Sequence, residues 1–269
     1  MSENPTKATA VVEEVKLRYG RIATGSLGGC GCGCGPAGGE ATVSRALGYA
    51  PEELAALPAE ADLGLGCGAP IDHLKLQAGE TVLDLGSGPG LDALLAAKQV
   101  GPTGRVIGVD MTPAMLERAR RNAVRSGFPN VEFREGRLER LPVDDASVDA
   151  VTSNCVINLV PDKGVVFREI ARVLKPGGRM VVSDVVLDAP LPEAVEKDVL
   201  AYVGCIAGAS RREVYFDLLK AAGLGDVEVL SDVDSLEQWA AAAGAEARAL
   251  AERTGVRLED VTGKVRSIT

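Results

Sequence analysis

Two sets of residues in this chain have the types and spacing to do chemistry: a glycine-rich turn with two aspartates near it, and six cysteines. The turn lies in "VLDLGSGPGLDALL", where Asp84 precedes Gly86, Ser87, Gly88 and Gly90. Glycine lets the backbone turn sharply and lets a ligand approach with no Cβ in the way. A glycine-rich turn alone is weak evidence, and G-S-G-P-G departs from the G-x-G-x-x-G of dinucleotide folds. The acid adds weight. Asp110 ends "VIGVD", 20 residues beyond Gly90, where a carboxylate accepts hydrogen bonds from ribose hydroxyls. Taken singly, each glycine reads as an ordinary turn and each aspartate as a cap or solvated carboxylate. Together they read as a cofactor site.

The cysteines fall into two groups. Cys30, Cys32 and Cys34 alternate with glycine, whereas Cys67, Cys155 and Cys205 are scattered in "GLGCGAP", "SNCVINL" and "YVGCIAGA". The commonest role of a free cysteine is that of a small buried hydrophobe. Cys155, however, falls at the carboxyl end of an expected strand, where open α/β sheets bind ligands. Cys67 precedes the core, and Cys205 lies in an insertion expected to cover the same crevice. The C-x-C-x-C run lacks zinc-knuckle spacing and no histidine follows it. A zinc knuckle, a tail with incidental thiols and a swinging thiol arm all stay open for it.

These residues must be positioned by regular elements. "VVEEVKLRYGRI" has helical spacing, and the glycine-dense stretch from Gly25 to Gly39 follows it. From Thr81 short apolar strands alternate with helices. "TVLDLG", "RVIGVD", "VEFREG", "VDAVTSNCVI" and "RMVVSDVV" read as strands, and Thr112-Pro113 starts a helix that Gly127 stops. Such alternation predicts an α/β, Rossmann-like, mostly parallel twisted sheet flanked by helices. The N-terminal segment is Cys/Gly-rich, and a smaller helical and strand lobe follows Val186, with "DVEVLSDV" a strand and "KVRSIT" a final edge strand. The expected divisions are 1–75, 76–186 and 187–269. "LEQWAAAAGAEARALAERTG" reads as an alanine-rich helix over the sheet.

The composition sets outer bounds. The 269 residues suffice for a full core, and 46% hydrophobic with 25% charged residues is ordinary for a globular chain. A net charge of −9 argues against nucleic-acid or anionic-membrane partners. The basic "RARRNAVR" run, Arg118 to Arg125, spreads its arginines around a helix and reads as a solvated face. No apolar run suffices to span a bilayer, and the polar N-terminus lacks a signal-peptide core, so a cytoplasmic monomer with reduced thiols is expected. His73, the one histidine, reads as a packing or surface residue.

The turn and its acid resemble motif I of class I S-adenosylmethionine-dependent methyltransferases. That resemblance implies that Met111 packs on the adenine, Leu138 closes the adenine pocket, and Asn154 meets the methionine part. Asp84 would bond near the ammonium group, with Gly86, Ser87, Gly88 and Gly90 around the cofactor.

More specifically, "GLGCGAPIDHLKLQAGETVLDLGSGPGLDALLAA", "SNCVINLVPDKGVVFREIARVLKPGGRMVVSDVV" and "YVGCIAGA" are similar to signature blocks of the arsenite S-adenosylmethionine methyltransferases. The likeness runs from about residue 14 to residue 225, although Ala69 stands where the family pattern has Asn. It implies that Cys67, Cys155 and Cys205 bind trivalent arsenic, a soft centre suited to thiolates, supplied as a thiol conjugate. It implies mono- and dimethylated products, a detoxification role, and thioredoxin or glutathione as external reductant. Thiolates must form on binding, so affinity should weaken in acid. A further N-terminal cysteine is also implied. Cys30, Cys32 or Cys34 can serve, and Cys32 stands for the three among the catalytic residues. The rival readings are a methyltransferase for an organic small molecule and a non-catalytic thiol protein that binds arsenic or a metal.

Overall fold

The computed structural model describes residues 5–26, 39–198, 201–202, 205–235 and 251–269. The three alternating cysteines and most of the expected alanine-rich helix lie outside those residues.

Helix α1 (Pro5–Ala23) extends further toward the N-terminus than its apolar spacing indicates, and it buries Val12, Val15 and Ile22. Helices α2 (Gly39–Ala46) and α3 (Pro51–Ala55) follow. The alternation then begins with strand β1 (Thr81–Leu85), helix α4 (Leu91–Val100), β2 (Arg105–Asp110) and α5 (Pro113–Ser126). It continues with β3 (Val131–Glu135), β4 (Val148–Asn154), α6 (Lys163–Val173) and β5 (Leu174–Leu187). The short helix α7 (Glu193–Glu196), β6 (Ser210–Arg211), α8 (Arg212–Ala221), β7 (Asp232–Asp234) and β8 (Val265–Ile268) follow.

The strands form one sheet in the order β3-β2-β1-β4-β5-β8-β7, with β6 paired to β5. Pairings from β3 through β5 are parallel, and β8 is antiparallel to both β5 and β7. The α/β class with a mostly parallel sheet is therefore as the alternation implies. Parallel neighbours need helical crossovers, and these leave apolar cores on both faces. One core gathers Leu83, Val109, Val151, Phe167 and Ile170, and the other Val82, Leu94, Ala119 and Phe133.

Two expectations about the C-terminal part change. "KVRSIT" is not an edge strand, because β8 is hydrogen-bonded on both sides, by β5 and β7. "DVEVLSDV" pairs only at its end, through β7 and the backbone bonds of Leu230 and Ser231 with Thr269, and Val227, Val229 and Leu230 are exposed. Its alternation is real, but among the described residues no layer packs on those three side chains. Among the described residues no helix is long and apolar enough to cross a membrane.

The predicted start of α5 is found. Thr112 is the N-cap and Pro113 opens the helix, while Gly127 closes it at φ +70°, although the Thr112 side chain makes no capping bond. The Arg118–Arg125 face is paired: Arg118 donates to Glu60 O and Ala23 O, and Arg125 bonds the Glu60 carboxylate.

Candidate functional site

The carboxyl ends of β1, β2 and β4 border a cleft of about 1140 Å³, part of it open to solvent. Strand β1 carries Asp84 to its floor, and the chain turns through Gly86 into α4. Gly86 has φ +63°, and a Cβ there would lie 2.5 Å from Val156 Cγ2, so no other residue fits without movement. Gly90 caps α4 at φ +99°. Asp110 Oδ2 accepts from Gly88 N at 3.0 Å and its Oδ1 from Thr112 N at 2.7 Å, which fixes the carboxylate at the rim.

Asp84, Gly86, Ser87, Gly88, Asp110, Met111, Leu138 and Asn154 all line this cleft. Gly90 does not; it works behind the turn as the helix cap. Asp84 Oδ2 and Ser87 Oγ are buried without a partner. Burial, with Asp92 and Asp110 nearby, pushes the Asp84 carboxyl well above its ordinary range. A buried acid with one unpartnered oxygen, beside a backbone turn and a rim carboxylate, fits a ligand that carries both a cationic group and a ribose. S-adenosylmethionine carries both. Helix α1 closes the cleft from above with Val12, Val15 and Tyr19.

Asn154 also does something that the sequence did not suggest. Its Oδ1 accepts from Cys67 N at 2.9 Å, and its Nδ2 donates to Gly68 O at 2.8 Å and to Tyr49 Oη at 2.9 Å. Tyr49 in turn donates to Asp92 Oδ1 at 2.7 Å, on the first turn of α4. Burial raises the Asp92 carboxyl to about 6. Asn154 thus faces the cleft and splints the Cys67 loop at once. Ser267 holds the other side of that loop, donating to Cys67 O at 2.5 Å. Ala69 is buried in the core beside this loop rather than offering a polar side chain.

The three scattered cysteines meet. Ligand atoms of Cys67, Cys155 and Asp184 all lie within 4.8 Å of one another, and Cys205 Sγ donates to Cys155 O at 2.9 Å. Cys155 borders the cleft itself. Cys155 and Cys205 both adopt left-handed backbone, φ +56° and +65°, which a residue with a Cβ rarely takes. Such strain persists where the surroundings dictate it and is common at functional sites.

All three thiols titrate high. Desolvation raises Cys67. A hydrogen bond with Cys205 favours the Cys155 thiolate, but the bond with Cys67, burial and neighbouring charge outweigh it and leave Cys155 well above the thiol range. Cys205 is raised by its bond with Cys155 and by burial. At rest the three are protonated thiols, ready to exchange protons for a soft centre.

Asp184, Asn158, Tyr215 and Lys163 were not picked out from the sequence. Asp184 is fully buried and accepts from Asn158 Nδ2 at 2.7 Å, Val185 N at 2.9 Å and Tyr215 Oη at 3.1 Å. Burial raises its carboxyl to about 7. The one available signal was an acid inside the apolar run "RMVVSDVV". His73 is exposed on a short turn, Pro70–His73.

Sheet order and cleft together define the class I methyltransferase fold, and a family model described as "Methyltransferase domain" matches residues 76–244. Comparison with known proteins narrows this. An arsenite methyltransferase of Halobacterium salinarum is 47% identical over 234 residues, covering 84% of this chain and 60% of the relative. An arsenite methyltransferase of Aquipseudomonas alcaligenes is 43% identical over 176 residues, 62% of this chain and 50% of the relative. A solved arsenic(III) S-adenosylmethionine methyltransferase from Chlamydomonas reinhardtii superposes with TM-score 0.60 at 36% identity, over 84% of this chain and 71% of that one. The chain belongs to the arsenite methyltransferase family. It spans between half and three-fifths of the length of the two curated relatives above.

Proposed function

We propose that this chain transfers methyl groups from S-adenosylmethionine to trivalent arsenic held by Cys67, Cys155 and Cys205. The observation that carries the reading is the convergence of Cys67 and Cys205 on Cys155, which lines the cleft. S-adenosylmethionine supplies an electrophilic methyl, and trivalent arsenic supplies its own lone pair, so no protein base is needed.

The chain's task is then to position the partners. Asp84 and Ser87 would hold the cationic end of the cofactor and Asp110 its ribose, while Met111 and Leu138 would flank the adenine. Asn154 would keep Cys67 beside Cys155 while it borders the cofactor. Three thiolates would leave the arsenic lone pair free to face the cleft. Methyl transfer carries arsenic formally to the pentavalent state, so an external thiol such as thioredoxin or glutathione would return it to the trivalent one. Cys30, Cys32 or Cys34 would offer a further thiol for release. Mono- and dimethylated products, a cytoplasmic monomer and a role in arsenic detoxification complete the reading.

The test is S-adenosylhomocysteine formation from arsenite, thiol and S-adenosylmethionine, with arsenic species separated by chromatography. Methylated arsenic is expected. A folded, cofactor-binding protein that yields none would return the choice to an organic acceptor or a binding role.

A further inference from the structure

Arsenic held by three thiolates uses no oxygen donor, yet the structure puts one among the thiols. Asp184 offers an oxygen within 4.8 Å of both Cys67 Sγ and Cys155 Sγ. It does not lie there loosely. Asn158, the Val185 amide and Tyr215 fix its orientation, as outer partners do for carboxylates that ligate metals. Among the described residues no cation pairs with it, and the nearby Lys163 ammonium is turned to Gly208 O at 2.7 Å. Oδ2 accepts from Tyr215 Oη at 3.1 Å, and a carboxylate oxygen has a second lone pair for another partner.

We propose that Cys67, Cys155 and Asp184, with Cys205 beside them, form a site for a thiophilic divalent cation of the zinc and cadmium class. Such cations are tetrahedral and accept mixed sulfur and oxygen donors, unlike a pyramidal trithiolate centre. The site at rest is neutral at its thiols, and a divalent ion offsets the charge of the thiolates that form as it binds. The thiols release their protons as the ion binds. A cation held there occupies the thiols assigned above to arsenic, so it excludes that substrate. The site does not depend on arsenic being the substrate.

The test uses the full, reduced chain with Cys30→Ser, Cys32→Ser and Cys34→Ser, so that only Cys67, Cys155 and Cys205 remain. Anaerobic titration with Co(II) should give a thiolate-to-cobalt charge-transfer band that saturates at one equivalent. Adding Asp184→Asn should weaken Co(II) at least about tenfold. X-ray absorption of the zinc-loaded chain needs no further substitution, and covers the case in which that variant fails to fold. It should show oxygen at about 2.0–2.2 Å together with sulfur at about 2.3 Å. Absence of the charge-transfer band, an all-sulfur shell around zinc, or unchanged Co(II) affinity in a folded Asp184→Asn chain would each overturn the proposal.

Discussion

The two halves of the cleft are built in opposite ways. The cofactor half is local: Asp84 to Gly90 is one run of chain, and Asp110 reaches it through the amide of Gly88. Its working parts are largely backbone, held by a turn that only glycine can make. The thiol half is remote. Cys67 is tied to Asn154 across 87 positions, Cys205 to Cys155 across 50, and Ser267 to Cys67 across 200. Side chains from distant elements do the work there, and strained backbone aims two of them. A local site withstands change elsewhere in the chain, whereas a remote one depends on every element that brings its parts together.

If the halves are separable, substitutions should divide cleanly between them. The largest expected effect is from Cys155→Ser. One ligand is lost at the centre of the thiol group, and arsenite methylation should fall at least about 100-fold, as for reacting groups displaced from register. Isothermal titration should find cofactor affinity unchanged. A variant that retains turnover would end the three-thiolate reading.

The mirror experiment is Asp110→Ala. Hydrogen bonds to a charged acceptor contribute about 1.5–3 kcal/mol, so cofactor affinity should fall roughly 10- to 100-fold. Arsenite binding, followed by thiolate-to-arsenic absorbance without cofactor, should not move. Loss of both would show that the two halves are one unit.

The same contrast decides what the sequence could disclose. "VLDLGSGPG" was legible because turn, strand end and helix start are contiguous, and their physics is local. The thiols were legible only through likeness to a family, since spacings of this length carry no geometric information by themselves. Asp184 was missed because an acid in a strand looks like any strand end until Asn158 and Tyr215 are seen to bury it. The sequence points Asn154 to the cofactor alone, because its grip on Cys67 exists only where β4 meets the loop before β1. For β8 the deciding fact was long-range too: pairing with Asp184–Leu187 places it inside the sheet, which no end-of-chain pattern can announce.

Asn154 is where the comparison can be sharpened, because it belongs to both halves. Replacing it with leucine strands the Cys67 amide and Gly68 carbonyl, a cost of about 1–3 kcal/mol for buried groups. Arsenite affinity should therefore drop about tenfold without cofactor present. Asn154→Asp keeps the acceptor for Cys67 N but loses the donor to Gly68 O, so it should lie between wild type and leucine. Equal losses in the two variants would mean that the residue does not act through the Cys67 loop.

The smallest effect should come from a site outside both halves. Glu132 on β3 bonds Arg134 at 2.7 Å and Arg105 at 2.6 Å, and these guanidinium groups lower its carboxyl to about 2. A lowered carboxyl stabilises the fold above its unfolded value near 4.5, and that stability is lost as the pH falls toward 2. The group is 44% exposed, so solvent screening keeps the contribution below about 1 kcal/mol. Glu132→Gln should accordingly lower the urea midpoint slightly at pH 7, with the difference from wild type vanishing in acid. Cofactor and arsenite affinities should both stay at wild-type values. A change in either would mean that the parallel edge of the sheet is coupled to the cleft, and that the cofactor half is less local than its contiguous sequence makes it.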